Sequence, residues 1–218
     1  MGRIGKEEIN RKLLHILAVG LPVCIFYGPD WFGLSRQQVV WIIFGILLFS
    51  LGIDLIRLKE GSFRSWFFKR FGSMMRAEEE RQLTGATYIV AGSFTCSLIS
   101  LSSEQYAASS FLSLTLFILG DAMAALCGKA FGKIKVGDKT IEGAIGCFVL
   151  CFILTSLVFP NVPSFLTTWN GDFTWLPKIL FPLGIALLEL FPIKLGPITL
   201  NDNLYVPGVV SVLAVVLP

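Results

Sequence analysis

The chain has 218 residues, of which 54% are hydrophobic and only 15% charged, and its mean hydropathy is +0.73. A water-soluble domain carries about 25% charged residues, so this composition excludes an ordinary soluble enzyme or binding module. The formal net charge of +3 says little until its placement is known.

Long apolar runs alternate with short charged ones, the pattern of an all-α, polytopic membrane protein. Arg3, Lys6, Arg11 and Lys12 precede the first apolar run, 13–27. A charged segment before an apolar one is also how a signal peptide begins. Here Pro22 interrupts the run, which ends in Gly28-Pro29-Asp30 with no small-residue cleavage site, so the reading favours a retained first span. Lys6 stands where a myristoylation signal needs Ser or Thr, so no lipid anchor is expected. Further spans are expected at 39–55, 84–101, 106–127, 141–159, 175–191 and 204–217, making seven in one membrane domain over 1–218. Between the second and third lies 57–81, where basic and aromatic residues are interleaved around Trp66, Phe67, Phe68, Lys69 and Arg70. Such a segment fits an amphipathic stretch in the membrane interface. The five cysteines (Cys24, Cys96, Cys127, Cys147 and Cys151) lie in or beside apolar runs without metal-ligand spacing, and read as packing residues.

With seven spans, 16 of the 18 Lys and Arg fall on one side, in the N-terminus, 56–83, 128–140 and 192–203. Only Arg36 and Lys178 fall on the other. The positive-inside rule puts the N-terminus and the basic loops in the cytoplasm.

Chemistry concentrates in 120–143. Asp121 sits inside an apolar helix, where a carboxylate is costly without a partner. It is read either as a functional acid or as half of a buried pair with an arginine or lysine. The following Gly128-Lys129-Ala130-Phe131-Gly132-Lys133-Ile134-Lys135 joins glycines, whose backbone can approach a phosphate, to lysines that supply charge. It is not a Walker A loop, because Cys127 and Ile134 occupy the positions of the first glycine and the Ser/Thr. In Lys139-Thr140-Ile141-Glu142-Gly143, Thr140 is a candidate helix cap, and Lys139 and Glu142 are expected on one helical face. Glu142 reads either as a favourable first-turn acid or as a partner of Asp121 around a divalent cation.

Further polar residues gather on the same side. Glu8, Arg11, Lys12 and His15 are spaced as one stripe entering span one. Asp54 and Arg57 have i,i+3 spacing, which reads as an ion pair. Arg76 and Arg81 lead into Leu83-Thr84-Gly85-Ala86, with a solvated face as the default. Glu189 is a second intramembrane acid for which Lys194 is a candidate partner. Asn201-Asp202-Asn203 precedes the last span, and helix capping accounts for only one of the three.

Taken in order, these residues resemble the polyprenol kinase family, which comprises dolichol kinase, phytol kinase and the CTP-dependent diacylglycerol kinase. The stretches concerned are Glu8-x-x-Arg11-Lys12-x-x-His15, Leu83-Thr84-Gly85-Ala86, Gly120-Asp121 through Gly132-Lys133 to Lys139-Thr140-Ile141-Glu142-Gly143, and Glu189 followed by Asp202-Asn203-x-x-x-Pro207. A more distant resemblance is to the phosphatidate cytidylyltransferases, whose late Pro-Gly-His-Gly-Gly run is absent here. The resemblance implies transfer of the γ-phosphoryl group of CTP to a lipid alcohol at the cytoplasmic face, with a divalent metal, Mg²⁺ foremost. The alcohol would be of phytol, polyprenol or diacylglycerol type. The implied partners are CTP, the lipid and the bilayer, with no nucleic acid; a bacterial inner membrane or an organelle membrane would house the chain.

On this reading Gly128, Lys129, Gly132, Lys133, Lys135, Lys139, Thr140 and Gly143 hold the triphosphate. Asp121, Glu142 and Asp202 hold the metal, and with Lys133 and Lys139 they form the catalytic set. Arg11, Lys12, His15, Arg76, Arg81, Glu189 and Asn203 contact lipid or phosphate. The rival class is a transporter or scaffold, but charge gathered on one side argues against a path through the membrane.

Overall fold

A computed structural model of the protein describes residues 6–59, 61–169, 171, 173–196 and 198–216; the side chains of residues 6–9 lie outside that description, and Glu8 of the polar stripe is among them. The described chain is mainly helical. Helix α1 (Lys6–Leu17) is followed after a short break by α2 (Gly20–Phe32), then α3 (Arg36–Leu58), α4 (Ser62–Phe71), α5 (Gly85–Ile99) and α6 (Glu104–Phe131). A hairpin of β1 (Lys135–Val136) and β2 (Lys139–Thr140) leads to α7 (Ile141–Ile153), α8 (Pro163–Thr168) and α9 (Trp175–Leu190). A second hairpin, β3 (Lys194–Leu195) and β4 (Ile198–Thr199), leads to α10 (Asp202–Val216).

Over the described residues the seven apolar runs are mainly helical, the first broken by a turn at Ala18 and Val19, and several starts are set by local chemistry. Ser35 and Gln38 form a reciprocal capping box on α3. Thr84 caps α5, Ser103 caps α6 and Thr140 caps α7, each accepting from a backbone N–H three residues on. Four stretches are long and apolar enough to cross a membrane: Asn10–Phe32, Arg36–Leu58, Glu104–Phe131 and Ile141–Asn161. The helices Gly85–Ile99, Trp175–Leu190 and Asp202–Val216 are shorter. The protein is a membrane protein.

The two hairpins are a correction to a purely helical expectation. Each strand has two residues, too short for any alternation to register in the sequence. In both, a glycine with positive φ follows the first strand, Gly137 at 59° and Gly196 at 61°, which is the left-handed backbone that tight hairpin turns require.

Helix α6 is the axis. Its residues from Ala107 to Ile118 are almost all buried, whatever face they lie on, as expected for a helix enclosed by others. Helices α2, α5, α7, α9 and α10 surround it. Gly120 lets α7 close in, since a Cβ there would stand 2.8 and 2.9 Å from the Cys147 and Cys151 sulfurs. Gly92 does the same for α10, where a Cβ would collide with the Asn203 carbonyl. Ser109 and Ser110 on α6 both reach the Ser211 hydroxyl of α10, at 3.1 and 2.9 Å. Toward the other end of the bundle, Phe26, Phe111, Phe159, Phe165 and Trp169 form a chain of ring contacts. Leu17, Trp41, Phe49 and Trp175 stand on the outside, largely exposed, consistent with an exterior made for lipid.

Candidate active site

At one end of the bundle a cleft of about 840 Å³ opens between α1, the loop after α4, α5, α6, both hairpins and the ends of α7, α9 and α10. Asp121 lies at its wall, less than one turn before Ala124, the last buried residue of α6, and is 5% exposed. Lys12 of α1 enters here: its Nζ stands 2.6 Å from Asp121 Oδ2 and 3.3 Å from the Asp121 carbonyl. His15 Nε2 stands 3.3 Å from the same carboxylate oxygen. Lys12 and His15 of the polar stripe therefore face α6, and Asp121 has a buried lysine partner.

Lys139 is the centre of a second network. Its Nζ stands 2.9 Å from Glu189 Oε1, at the end of α9, and 2.9 Å from Asp202 Oδ2, at the start of α10. Burial alone would pull the ammonium pKa down, but the carboxylates of Asp202, Glu189 and Asp121 outweigh it and hold the pKa above its ordinary value. Lys139 is a firm cation facing three acids. The expected partner of Glu189 was Lys194; among the described residues its ion-pair partner is Lys139. Strand geometry explains the exchange: pairing Lys139 with Val136 in the hairpin fixes the lysine beside α9, whereas a continuous helix from Lys139 to Glu142 would not.

The same hairpin separates Glu142 from the other acids. Its two oxygens accept from the Ile134 N–H at 3.2 and 3.3 Å, closing the loop that enters β1, and it does not line the cleft. Lys139 and Glu142 thus do not share a helical face, because helix α7 begins after Lys139. Thr140 Oγ1 accepts from Gly143 N at 3.1 Å, as the capping reading expects. Gly128 and Gly143 line the cleft, but their nearest neighbours are protein atoms. A Cβ on Gly128 would stand 2.8 Å from Thr140 Oγ1, and one on Gly143 2.7 Å from the Ala124 carbonyl. These glycines let α6 and the start of α7 press together. Gly132 packs on Gly128 and Thr140 outside the lining.

The remaining expected residues divide. Arg11, Arg76, Lys129 and Thr140 line the cleft with Lys12, Asp121, Lys139, Glu189 and Asp202. Lys133, Lys135 and Arg81 are exposed and stand off it. Asn203 is 6% exposed behind Asp202, its Oδ1 without a partner among the described residues. Arg57 departs from a lipid-facing reading: it is 0% exposed, bound to Asp54 at 2.8 Å and to the carbonyls of Glu79 and Gln82. Asp54 in turn accepts from Thr84 and Thr87, so the i,i+3 pair ties α3 to α5. Sequence reasoning missed Asp138, Glu79 and Tyr88, which also line the cleft. Asp138 was legible as the acid inside the lysine-rich loop; the other two carried no signal.

Among the described residues no three His, Cys, Asp or Glu side chains form a preformed metal cage. That does not disqualify Mg²⁺, which usually binds one or two carboxylates together with substrate phosphates and water. Asp121 and Asp202, hard oxygen donors that both line the cleft, fit such an ion; Glu142 does not.

A family model described as the cytidylyltransferase family matches residues 1–214. The chain belongs to this family. Within the family's reach, dolichol kinase sec59 of Schizosaccharomyces pombe is 32% identical over 209 residues, covering 92% of this chain but 38% of that protein. An uncharacterized protein of Rickettsia prowazekii is 26% identical over 203 residues, covering 92% of this chain and 89% of the relative. No solved structure matches significantly. The polyprenol-kinase resemblance read from the motifs is thus matched by a kinase relative along nearly the whole of this cytidylyltransferase-family chain.

Proposed function

We propose that this protein is a CTP-dependent lipid kinase that phosphorylates a membrane lipid alcohol at the cytoplasmic end of a seven-span bundle. The observation that carries the reading is the cleft itself. Six cations (Arg11, Lys12, Arg76, Lys129, Lys139 and Lys194) and six acids, Asp121, Glu189 and Asp202 among them, line one opening at the end of an apolar bundle. Phosphoryl transfer depends mainly on positioning and on neutralising phosphate charge, and this set supplies both. Similarity to dolichol kinase supports the choice of a lipid alcohol as acceptor. The bias of Lys and Arg to one side supports a cytoplasmic cleft.

Lys129 and Lys194, at the rim, would take the triphosphate first. Lys139 would neutralise charge on the phosphoryl group while keeping Glu189 and Asp202 in place. Asp121 and Asp202 would hold Mg²⁺, which when bound supplies charge to the β- and γ-phosphates. Lys12 fixes Asp121, with His15 beside it. The lipid chain stays among the helices, and only its hydroxyl needs to reach the cleft.

A second reading, cytidylyl transfer to a lipid phosphate, draws on the family description. One assay separates the two. The purified protein in lipid and detergent is given Mg²⁺, a panel of lipid alcohols and phosphatidate, and CTP labelled at either the γ- or the α-phosphate. A kinase moves γ-label to an alcohol and releases CDP. Movement of α-label into lipid with release of pyrophosphate would replace this reading with the second; no label movement from either position would overturn both.

A further inference from the structure

We propose that Glu189 is the catalytic base of this reaction, taking the proton of the lipid hydroxyl, with Lys139 as the residue that positions it; this rests on the lipid-kinase reading above. Glu78 and Asp138 line the cleft but are exposed; the less exposed acids differ in what their oxygens already do. Asp121 Oδ2 is held by Lys12 and faced by His15. Asp202 uses Oδ2 on Lys139 and Oδ1 on the Asn203 N–H. Glu79 uses Oε1 on the Gly85 N–H and Oε2 on the Arg76 N–H. Glu142 spends both oxygens on Ile134, away from the cleft.

Glu189 is different. It is 4% exposed, Lys139 holds Oε1 at 2.9 Å, and buried Oε2 has no hydrogen-bond partner among the described residues. A buried acceptor without a donor costs free energy that an incoming hydroxyl would return. Glu189 lines the cleft, so the hydroxyl of a substrate entering there would supply that donor.

Its surroundings fit a lipid alcohol. At the end of α9 the cleft lining continues as Leu190, Phe191 and Pro192, and Phe191 is 57% exposed. Lys139 lines the same cleft and touches Glu189. Glu189 therefore sits where an apolar wall meets the cation proposed to hold the phosphates. Rotation of a carboxyl about its last torsion is soft, so Oε2 can turn to the hydroxyl while Lys139 keeps Oε1.

The step balances as follows. The hydroxyl proton passes to Glu189 Oε2 while the hydroxyl oxygen forms its bond to the γ-phosphorus of CTP. The bond from that phosphorus to the β,γ-bridging oxygen breaks, and CDP leaves with the electron pair. Glu189 then gives its proton to water and returns to the carboxylate.

The test compares the wild type, Glu189→Gln and Glu189→Asp in lipid and detergent, using γ-labelled CTP. Each is given a long-chain alcohol and its 2,2-difluoro analogue, whose hydroxyl is more acidic. The Gln variant should lose about 100-fold or more in kcat, with KM for CTP changed by less than about threefold. The fluorinated alcohol should recover part of that loss, because an acceptor that ionises more readily needs less help from a base. Wild-type kcat in the Gln variant overturns the proposal. So does a loss that appears in KM for CTP, or one that the fluorinated alcohol does not relieve. Should the Gln variant fail to fold, the Asp variant decides: greater sensitivity to acceptor acidity than in wild type supports the base role, and equal sensitivity overturns it. A wild type that moves γ-label to neither alcohol overturns the kinase reading itself, an outcome distinct from an active wild type with an indifferent Glu189.

Discussion

The segments α6–β1–β2–α7 and α9–β3–β4–α10 are built alike. Each is a helix, a hairpin of two-residue strands and a second helix. Each turn contains a glycine near φ 60°. Each hairpin is closed by the same backbone bond, Ile141 N–H to Ile134 O at 3.0 Å and Leu200 N–H to Ile193 O at 2.9 Å. What they bring to the cleft differs. The first hairpin delivers a cation, Lys139, while the second unit delivers the two acids it binds, Glu189 and Asp202. The first unit's own intramembrane acid, Asp121, is neutralised from elsewhere, by Lys12 of α1. Similar backbones thus hold complementary charges, and neither unit forms the site alone.

Substitutions can break this comparison to different depths. Asp121→Asn should have the largest effect on folding. Lys12 and Asp121 side chains are 5% and 7% exposed, and removing one partner of a buried pair leaves a charge uncompensated, at about 3–5 kcal/mol. Denaturation in detergent would measure it, together with loss of lipid phosphate formation. Undiminished stability and activity would mean that α1 is not held through Asp121.

Lys139→Met should cost less stability, about 2 kcal/mol, because the Lys139 side chain is 27% exposed and water screens part of the loss. The pH dependence has a definite sign. A raised folded pKa gives stability that is full below the unfolded value, near 10.5, and is lost as pH rises through the folded one. The part of the difference that comes from Lys139's own titration should therefore be fully present below that unfolded value and fade above it. Activity should fall steeply, since both acids of the second unit lose their partner.

Gly143→Ala sharpens the comparison within the first unit. Its Cβ would stand 2.7 Å from the Ala124 carbonyl and 3.0 Å from Thr140 Oγ1, forcing β2 away from α6. We expect about 1–2 kcal/mol and a raised KM for CTP, read by steady-state kinetics. Arg36→Gln should do least. Arg36 pairs with Glu104 on the remaining cation-poor side, and Glu104 is 71% exposed. Such pairs contribute under about 1 kcal/mol, and lipid phosphate formation should be unchanged.

Much of the fold was legible in local signals. Apolar runs marked most of the long helices to within a few residues, though the run 13–27 is split between α1 and α2 and α8 matches no run, and Thr84 and Thr140 marked two starts. The i,i+3 spacing of Asp54 and Arg57 revealed their pair. The site was legible as a list of residues but not as a set of partners. Lys12 meets Asp121 across 109 positions, and Lys139 meets Asp202 across 63, separations for which no periodicity exists. The two-residue strands decided the rest. They turned Lys139 toward α9 and left Glu142 to close its own loop, an arrangement that a helical reading of 139–143 reverses.

The most direct test of a site shared between the two units is a double-mutant cycle on Lys139 and Asp202. Lipid phosphate formation is measured for Lys139→Met, Asp202→Asn and the double variant, each confirmed folded by its thermal transition. Residues that act as one unit show non-additive losses. The double variant should fall no more than about threefold below the worse single variant. Losses in kcat/KM that multiply would mean that Lys139 and Asp202 act independently, and would contradict a site assembled from both units.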